Sequence, residues 1–226
     1  MAGTGRRGGW KSADERVEPT EWVESVETMT KLRPYQPADY DAVSRICTLT
    51  AERGGDATGR YVSDELMPDI FVRPYVVLEP ELAFVVDDDG EIGGYIVGVA
   101  DTRRFVERFT AEWLPGFSQK YEHIQPHTNR NEMITHLGFW PERMLIAEVD
   151  EYPAHLHIDL LPEFHGRGHG RQLIERLSSE LRARGVPGLH LSMDAANTNA
   201  RAFYDRIGFT ELPSSTADAP LLAIRL

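Results

Sequence analysis

Apolar and polar positions alternate most cleanly over Ala154–Leu160, where Leu156, Ile158 and Leu160 fall between His155, His157 and Asp159. A period of two predicts a strand with one apolar and one polar face. Pro162 lacks a backbone N–H and ends the ladder. Beyond Gly166–Gly170, the residues Leu173, Ile174, Leu177 and Leu181 recur at helical spacing, predicting an amphipathic helix to about Arg184. Gly188–Asp194 reads as the next strand and Leu221–Leu226 as the last.

Upstream, Thr30–Arg33 reads as a first strand. Asp39 is placed to N-cap a helix whose apolar stripe is Tyr40, Val43, Ile46, Cys47 and Leu49, and Gly54-Gly55 ends it. Asp56–Val77 predicts a short helix plus loop. Leu82–Val86 and Ile92–Ala100 form a hairpin across Asp87–Gly90. That turn reads as solvated, because a calcium loop would need alternating ligands and a distal Glu. Phe105, Val106, Phe109 and Trp113 have helical spacing, and Pro115, Pro126 and Pro141 break the remainder to Met144 into short pieces. Leu145–Glu151 is either an edge segment or a further strand. The order β-α-α-β-β, insertion, β-α-β-α-β-β predicts an α/β fold, a mixed sheet with helices on both faces.

Composition narrows the picture. With 226 residues, 41% of them hydrophobic, the chain can bury one core, which predicts a single domain over residues 29–226 with an insertion at about 102–144. Residues 1–28 are rich in Gly, Arg, Glu and Ser and read as a disordered tail, or as a segment docking through Trp22 and Val26. A net charge of −12 without a basic face argues against nucleic acid, and suits solubility or cationic acceptors. The single cysteine, Cys47, allows no internal disulfide and points to a reducing cytoplasm. Its apolar surroundings suggest a buried structural thiol. No apolar run approaches a membrane span, and no hydrophobic region follows Arg6-Arg7 as an export signal would require.

A glycine-rich turn entering a helix is an anion site: the backbone can approach a ligand, and the first-turn N–H groups point at it. Arg167 and Arg171 add positive charge around Gly166, Gly168 and Gly170, which suits a pyrophosphate. The loop ends Gly170-Arg171-Gln172, so it lacks the Lys and Ser/Thr of a P-loop, and its glycine spacing is not that of a Rossmann fingerprint. His155, His157 and Asp159 share one strand face and would be costly there unless hydrogen-bonded. A His beside a carboxylate is suited to taking a proton, with Asp159 the first choice of base and His157 the second. Two His on one side of a strand could ligate a metal, but no third ligand converges in the sequence and no metal is assigned.

Gly168 and Gly170 preceded by His165, followed downstream by Asn197, Ala200, Phe203, Tyr204, Gly208 and Phe209, resemble the two motifs of the GNAT superfamily of acetyl-CoA-dependent acyltransferases. His165 stands where Arg or Gln is usual. The runs Tyr152–Asp159, Gly166–Arg171 and Trp113–Pro115 further resemble a bacterial branch related to the acetyltransferase-like domain of the human O-GlcNAc hydrolase, from about Lys31 onward.

The resemblance implies a central sheet splayed between strands 4 and 5. It implies acetyl-CoA (CoA) as cofactor, held by backbone groups of Leu160 and Leu161, by the loop His165, Gly166, Arg167, Gly168, His169, Gly170 and Arg171, and by Asn197. It implies Tyr204 as general acid beside the cofactor sulfur, and His155 and His157 as a proton path like that of the arylalkylamine acetyltransferases. The expected reaction is N-acetylation of a small or lysine-like amine by direct transfer in a ternary complex. The other reading is an acyl-CoA-binding pseudo-acetyltransferase with a sensor or interaction role. Trp113, Tyr121, His123, His127, His136, Phe139 and Trp140 would line an acceptor pocket or fill a satellite core, and a homodimer through the insertion is a further expectation.

Overall fold

A computed structural model describes residues 1–3, 5 and 30–226; the expectations for a tail and for docking through Trp22 and Val26 lie outside them. Seven strands form one mixed sheet in the order β1-β2-β3-β4-β5-β7-β6. β1 (Lys31–Pro34), β2 (Ala83–Asp88), β3 (Glu91–Val99) and β4 (Ala154–Leu160) each pair antiparallel with the next in that series. β4 pairs in parallel with β5 (Gly188–Ser192), and β7 (Leu221–Arg225) lies antiparallel between β5 and β6 (Thr210–Glu211).

The β4–β5 pairing holds at two registers only, Ala154 with Leu189 and His155 with His190. β4 then continues to Leu160 along β3 while β5 stays with β7. The sheet is therefore split at its centre, and backbone groups of β4 past the split face open space.

Helices cover both faces. α1 (Tyr40–Thr50), α2 (Leu66–Phe71) and α3 (Arg73–Leu78) lie on the face carrying His155, His157 and Asp159. α7 (His169–Ala183) packs on the other, burying Leu173, Ile174, Leu177 and Leu181 against β2, β3 and β4. Each such burial contributes about 1.5–3 kcal/mol. α8 (Thr198–Arg206) follows β5, with Asn197 Oδ1 accepting from Ala200 N–H as its N-cap.

Several expectations change. Asp39 does not cap α1. It is buried, accepts two hydrogen bonds from Arg33 (2.7 and 2.8 Å) and takes Gln36 N–H. Arg33 Nε also reaches Asp87 at 2.6 Å, so Asp87 is a buried anchor of the hairpin rather than part of a solvated turn. Asp56–Val77 holds two short helices instead of one. Leu145–Glu151 forms no strand: after a 3₁₀ turn at Pro141–Met144 it is a series of turns, closed by Val149 N–H to Ile146 O and Tyr152 N–H to Glu148 O.

The segment after β3 is largely helical: α4 (Thr102–Arg108), a π-helical turn (Phe109–Trp113), α5 (Leu114–Lys120) and α6 (Arg130–Phe139). The wider turn accommodates Pro115, which has no N–H for the helical ladder. Asp69 of α2, 1% exposed, fastens this segment: it accepts from Lys120 Nζ (3.0 Å), Tyr121 Oη (2.9 Å) and Arg73 Nη1 (2.9 Å), and its carbonyl accepts from Trp113 Nε1. No helix among the described residues is long and apolar enough to cross a membrane.

Candidate active site

The split between β4 and β5 opens a cleft of about 250 Å³. His157 and Asp159 of β4, Cys47 and Thr50 of α1, Phe71 of α2, and Asn197 and Tyr204 form its walls. At its rim Arg53 Nε donates to Asp194 Oδ2 at 3.0 Å.

A chain of hydrogen bonds runs along the polar face of β4. Thr102 Oγ1 donates to Pro153 O at 2.7 Å, so its oxygen receives the Nδ1–H of His155 at 2.8 Å. His155 Nε2 then accepts from the Tyr75 hydroxyl at 2.9 Å, and Tyr75 Oη accepts from His157 Nε2–H at 3.0 Å. This direction leaves His157 Nδ1 as the ring's lone pair. Burial, with Arg143 and His190 adding, lowers the His157 pKa to about 3, and burial holds His155 well below the usual imidazole range.

Asp159 differs. Its β3 register partner Tyr95 donates to it at 2.5 Å. Burial raises its pKa to about 6, partly offset by the hydrogen bond from Tyr95. The Tyr95 phenol is itself held well above its ordinary pKa by burial and by Asp159, so it keeps its proton and donates. Tyr204, 7% exposed, forms part of the same cleft, and burial, then the Asp159 charge, raises its pKa too. Cys47 is buried with a raised pKa, as a structural thiol should be.

The backbone of β4 supplies donors. Leu161 N–H bonds Gly93 O, so by ladder alternation the groups of Ile158 and Leu160 point away from β3 and into the split. Both backbone groups of Leu161 are taken, its carbonyl by Phe164 N–H, so Leu161 offers none to a ligand. His165 turns its Nε2–H back onto Leu160 O at 2.9 Å. It therefore closes the loop on β4 instead of reaching out as a longer Arg or Gln would.

At the end of β4 the glycine loop enters α7. Gly166 and Gly168 have φ of 73° and 86°, and a Cβ at either would project into open space, where a ligand can approach. The first α7 bond runs from Gln172 N–H to Gly168 O, leaving the N–H groups of His169, Gly170 and Arg171 free at the helix start. A Cβ on Gly170 would stand 3.2 Å from Phe203 and 3.4 Å from Leu160, so this start sits against both α8 and β4. Arg167 is exposed and lies over the Phe164 ring, and Arg171 is exposed on the first turn. The donors, glycines and guanidinia fit a pyrophosphate here, with a thioester arm along the open edge of β4.

The structure thus brings together Asp159, His157, Tyr204, Asn197, Leu160 and the glycine loop. The insertion aromatics stand elsewhere. Trp113, Tyr121 and Phe139 pack with Leu66, Ile70 and Phe117 in a satellite core. His123, His127, His136 and Trp140 stack on one another away from the cleft. Tyr75, Tyr95 and Thr102 hold the site but carry no local sequence signature; the pairing of β3 with β4 and the packing of α3 bring them in. Among the described residues no group of three His, Cys, Asp or Glu side chains is placed to hold a metal ion.

Comparison with known proteins agrees with this geometry. The profile of the Acetyltransferase (GNAT) family matches residues 48–209. The protein O-GlcNAcase of Rattus norvegicus is 25% identical over 187 residues, 80% of this chain and 20% of its own length. This chain therefore spans about a fifth of that relative. The [ribosomal protein bS18]-alanine N-acetyltransferase of Salmonella typhimurium is 48% identical over 50 residues, 22% of this chain and 34% of its own length. Among solved structures, that of SsHAT superposes with a TM-score of 0.81 at 48% identity, covering 87% of this chain and 98% of that one.

Proposed function

The chain belongs to the GNAT acetyltransferase family, and on that premise we propose that it moves an acetyl group from acetyl-CoA to a primary amine, small or lysine-like, in one ternary complex. The observation that carries this reading is the meeting of three features at one split. They are a carboxylate with a pKa near 6, a protonated phenol, and a strand edge that leads to a glycine-rich helix start.

Acetyl-CoA supplies the activated acetyl thioester. Asp159, ionised at neutral pH, takes the proton of the acceptor ammonium so that the amine can attack. The N–H of Leu160 polarises the carbonyl oxygen. Tyr204 holds its proton through burial and gives it to the departing sulfur. His157 is a poor base, since burial keeps it neutral with a strongly depressed pKa; it orients Tyr75 and offers Nδ1 as an acceptor in the cleft wall. His169, Gly170, Arg171 and Arg167 hold the pyrophosphate, and the Asn197 side chain contacts the arm. The buried thiol Cys47 and the absence of any other cysteine suit a reducing cytoplasm.

The test is release of CoA thiol from acetyl-CoA against a panel of amines. Asp159→Asn and Tyr204→Phe should each lower turnover by about 10²–10⁴ while binding of CoA persists. A second reading, an acyl-CoA-binding protein without turnover, is favoured by His165 occupying Leu160 O. It predicts CoA binding with no thiol release for any amine.

A further inference from the structure

Arg143, in the turn after α6, has an unusual environment. Among the described residues it is the one arginine that is neither solvent-exposed nor ion-paired. One of its five N–H donors is accounted for, Nε to Leu137 O at 3.0 Å. Its guanidinium lies 5.4 Å from the centre of the Phe71 ring. Phe71 is a wall of the cleft and meets the His157 ring edge-on at 5.3 Å. The half-buried charge bears on its surroundings: it depresses His157, and its own pKa is lowered by burial.

A half-buried cation without a counter-ion is only partly compensated by water, and a guanidinium presents a planar fork that matches a carboxylate. We propose that Arg143 receives the carboxylate of the acceptor, so that the acceptor is a zwitterion: an amino acid or a short peptide whose amine lies at Asp159. The proposal takes the β4–β5 cleft as the acceptor site, as the acetyl-transfer reading does.

The charges are complementary to such a molecule. Asp159 in the cleft wall is the acidic pole, and Arg143, which lies against the Phe71 ring rather than in the wall itself, is the basic pole. His157 and Asp159 lie two residues apart on one strand face, about 7 Å. Arg53, the arginine of the cleft wall, is already paired with Asp194. A doubly charged phosphate would face Asp159 with only one unpaired guanidinium to hold it, whereas a carboxylate needs one.

Binding without acetyl-CoA tests this separately from transfer. Protein labelled with ¹⁵N in its histidines is titrated with glycylglycine, 4-aminobutyrate and 6-aminohexanoate, and with the matched glycinamide, propylamine and pentylamine. The His157 ring signals should move with the carboxylate-bearing members, whose affinity should exceed that of their partners by about tenfold, and Arg143→Gln should erase that difference while Arg143→Lys keeps part of it. Equal affinity within each pair in the wild-type protein overturns the proposal whatever the variants do. So does a preference that survives Arg143→Gln, or a wild-type protein that binds none of the three carboxylates. A protein that shows the preference yet releases no CoA thiol sustains the Arg143 site and sinks the transfer reading instead.

Discussion

Tyr95 donates a 2.5 Å hydrogen bond to Asp159 across the β3–β4 ladder, where the two residues are register partners. The bond restrains a carboxylate whose pKa burial has raised to about 6. Removing the donor removes the restraint. Tyr95→Phe should therefore push the Asp159 pKa above its present value, and the acidic limb of the pH–rate profile should move upward from about pH 6. Rates of CoA release between pH 5 and 9 measure it.

The same residue makes a prediction about stability. A carboxylate with a raised folded pKa binds its proton more tightly in the folded protein. Stability is therefore lost as pH climbs from about 4 through about 6, and the loss persists above. A shift of about two units corresponds to roughly 3 kcal/mol. Asp159→Asn keeps an acceptor for Tyr95 and avoids the buried charge. The variant should unfold at higher urea than the wild type at pH 7.5 by up to that amount, and the advantage should vanish below about pH 4.

The anion loop can be separated from general stability. Gly168 and Gly185 both have positive φ, at opposite ends of α7. An alanine at either should cost about 1 kcal/mol of stability. Only Gly168→Ala should also weaken acetyl-CoA binding, because Gly185 lies at the far end of the helix. Thermal melts and calorimetry on the two variants make the comparison.

Much of this architecture was legible in the chain. The period of two over Ala154–Leu160, the glycine loop and the stripe of α7 locate the central strand and the helix start from sequence alone, while the split between strands 4 and 5 follows only from the family resemblance. The second motif, with Asn197 and Tyr204, places α8 on the same cleft. What could not be read was the filling of the polar strand face. Tyr75 comes from a six-residue helix without a periodic signal, Tyr95 from the neighbouring strand, and Thr102 from the residue that opens α4. Their roles depend on register and packing over distances of 80, 64 and 53 residues along the chain, respectively. The insertion stayed open between two readings for a related reason: aromatic spacing does not distinguish a satellite core, which Trp113, Tyr121 and Phe139 join, from a pocket. Asp39 and Asp87 looked like cap and turn residues, but Arg33 draws both into a buried ion-pair cluster.

Asp69 is the rivet between α2 and the insertion. Asp69→Ala would leave Tyr121 and Lys120 without their acceptor and Arg73 with Glu65 as its one counter-ion and Ser44 Oγ as its other acceptor. Breaking a buried charged network of this kind costs about 3–5 kcal/mol. Urea unfolding should report that loss, and limited proteolysis should cut within 114–139 in the variant before it does so in the wild type.

The central claim is that the split sheet and the glycine-rich start of α7 form one acetyl-CoA site. Calorimetric titration of acetyl-CoA into the wild-type protein, the Gly168→Ala variant and the Arg167→Ala/Arg171→Ala double variant tests it most directly. The account predicts saturable binding to the wild type, weakened by about tenfold or more, roughly 1.4 kcal/mol, in both variants. Absence of binding to the wild type at millimolar cofactor, or equal affinity in all three proteins, would contradict it.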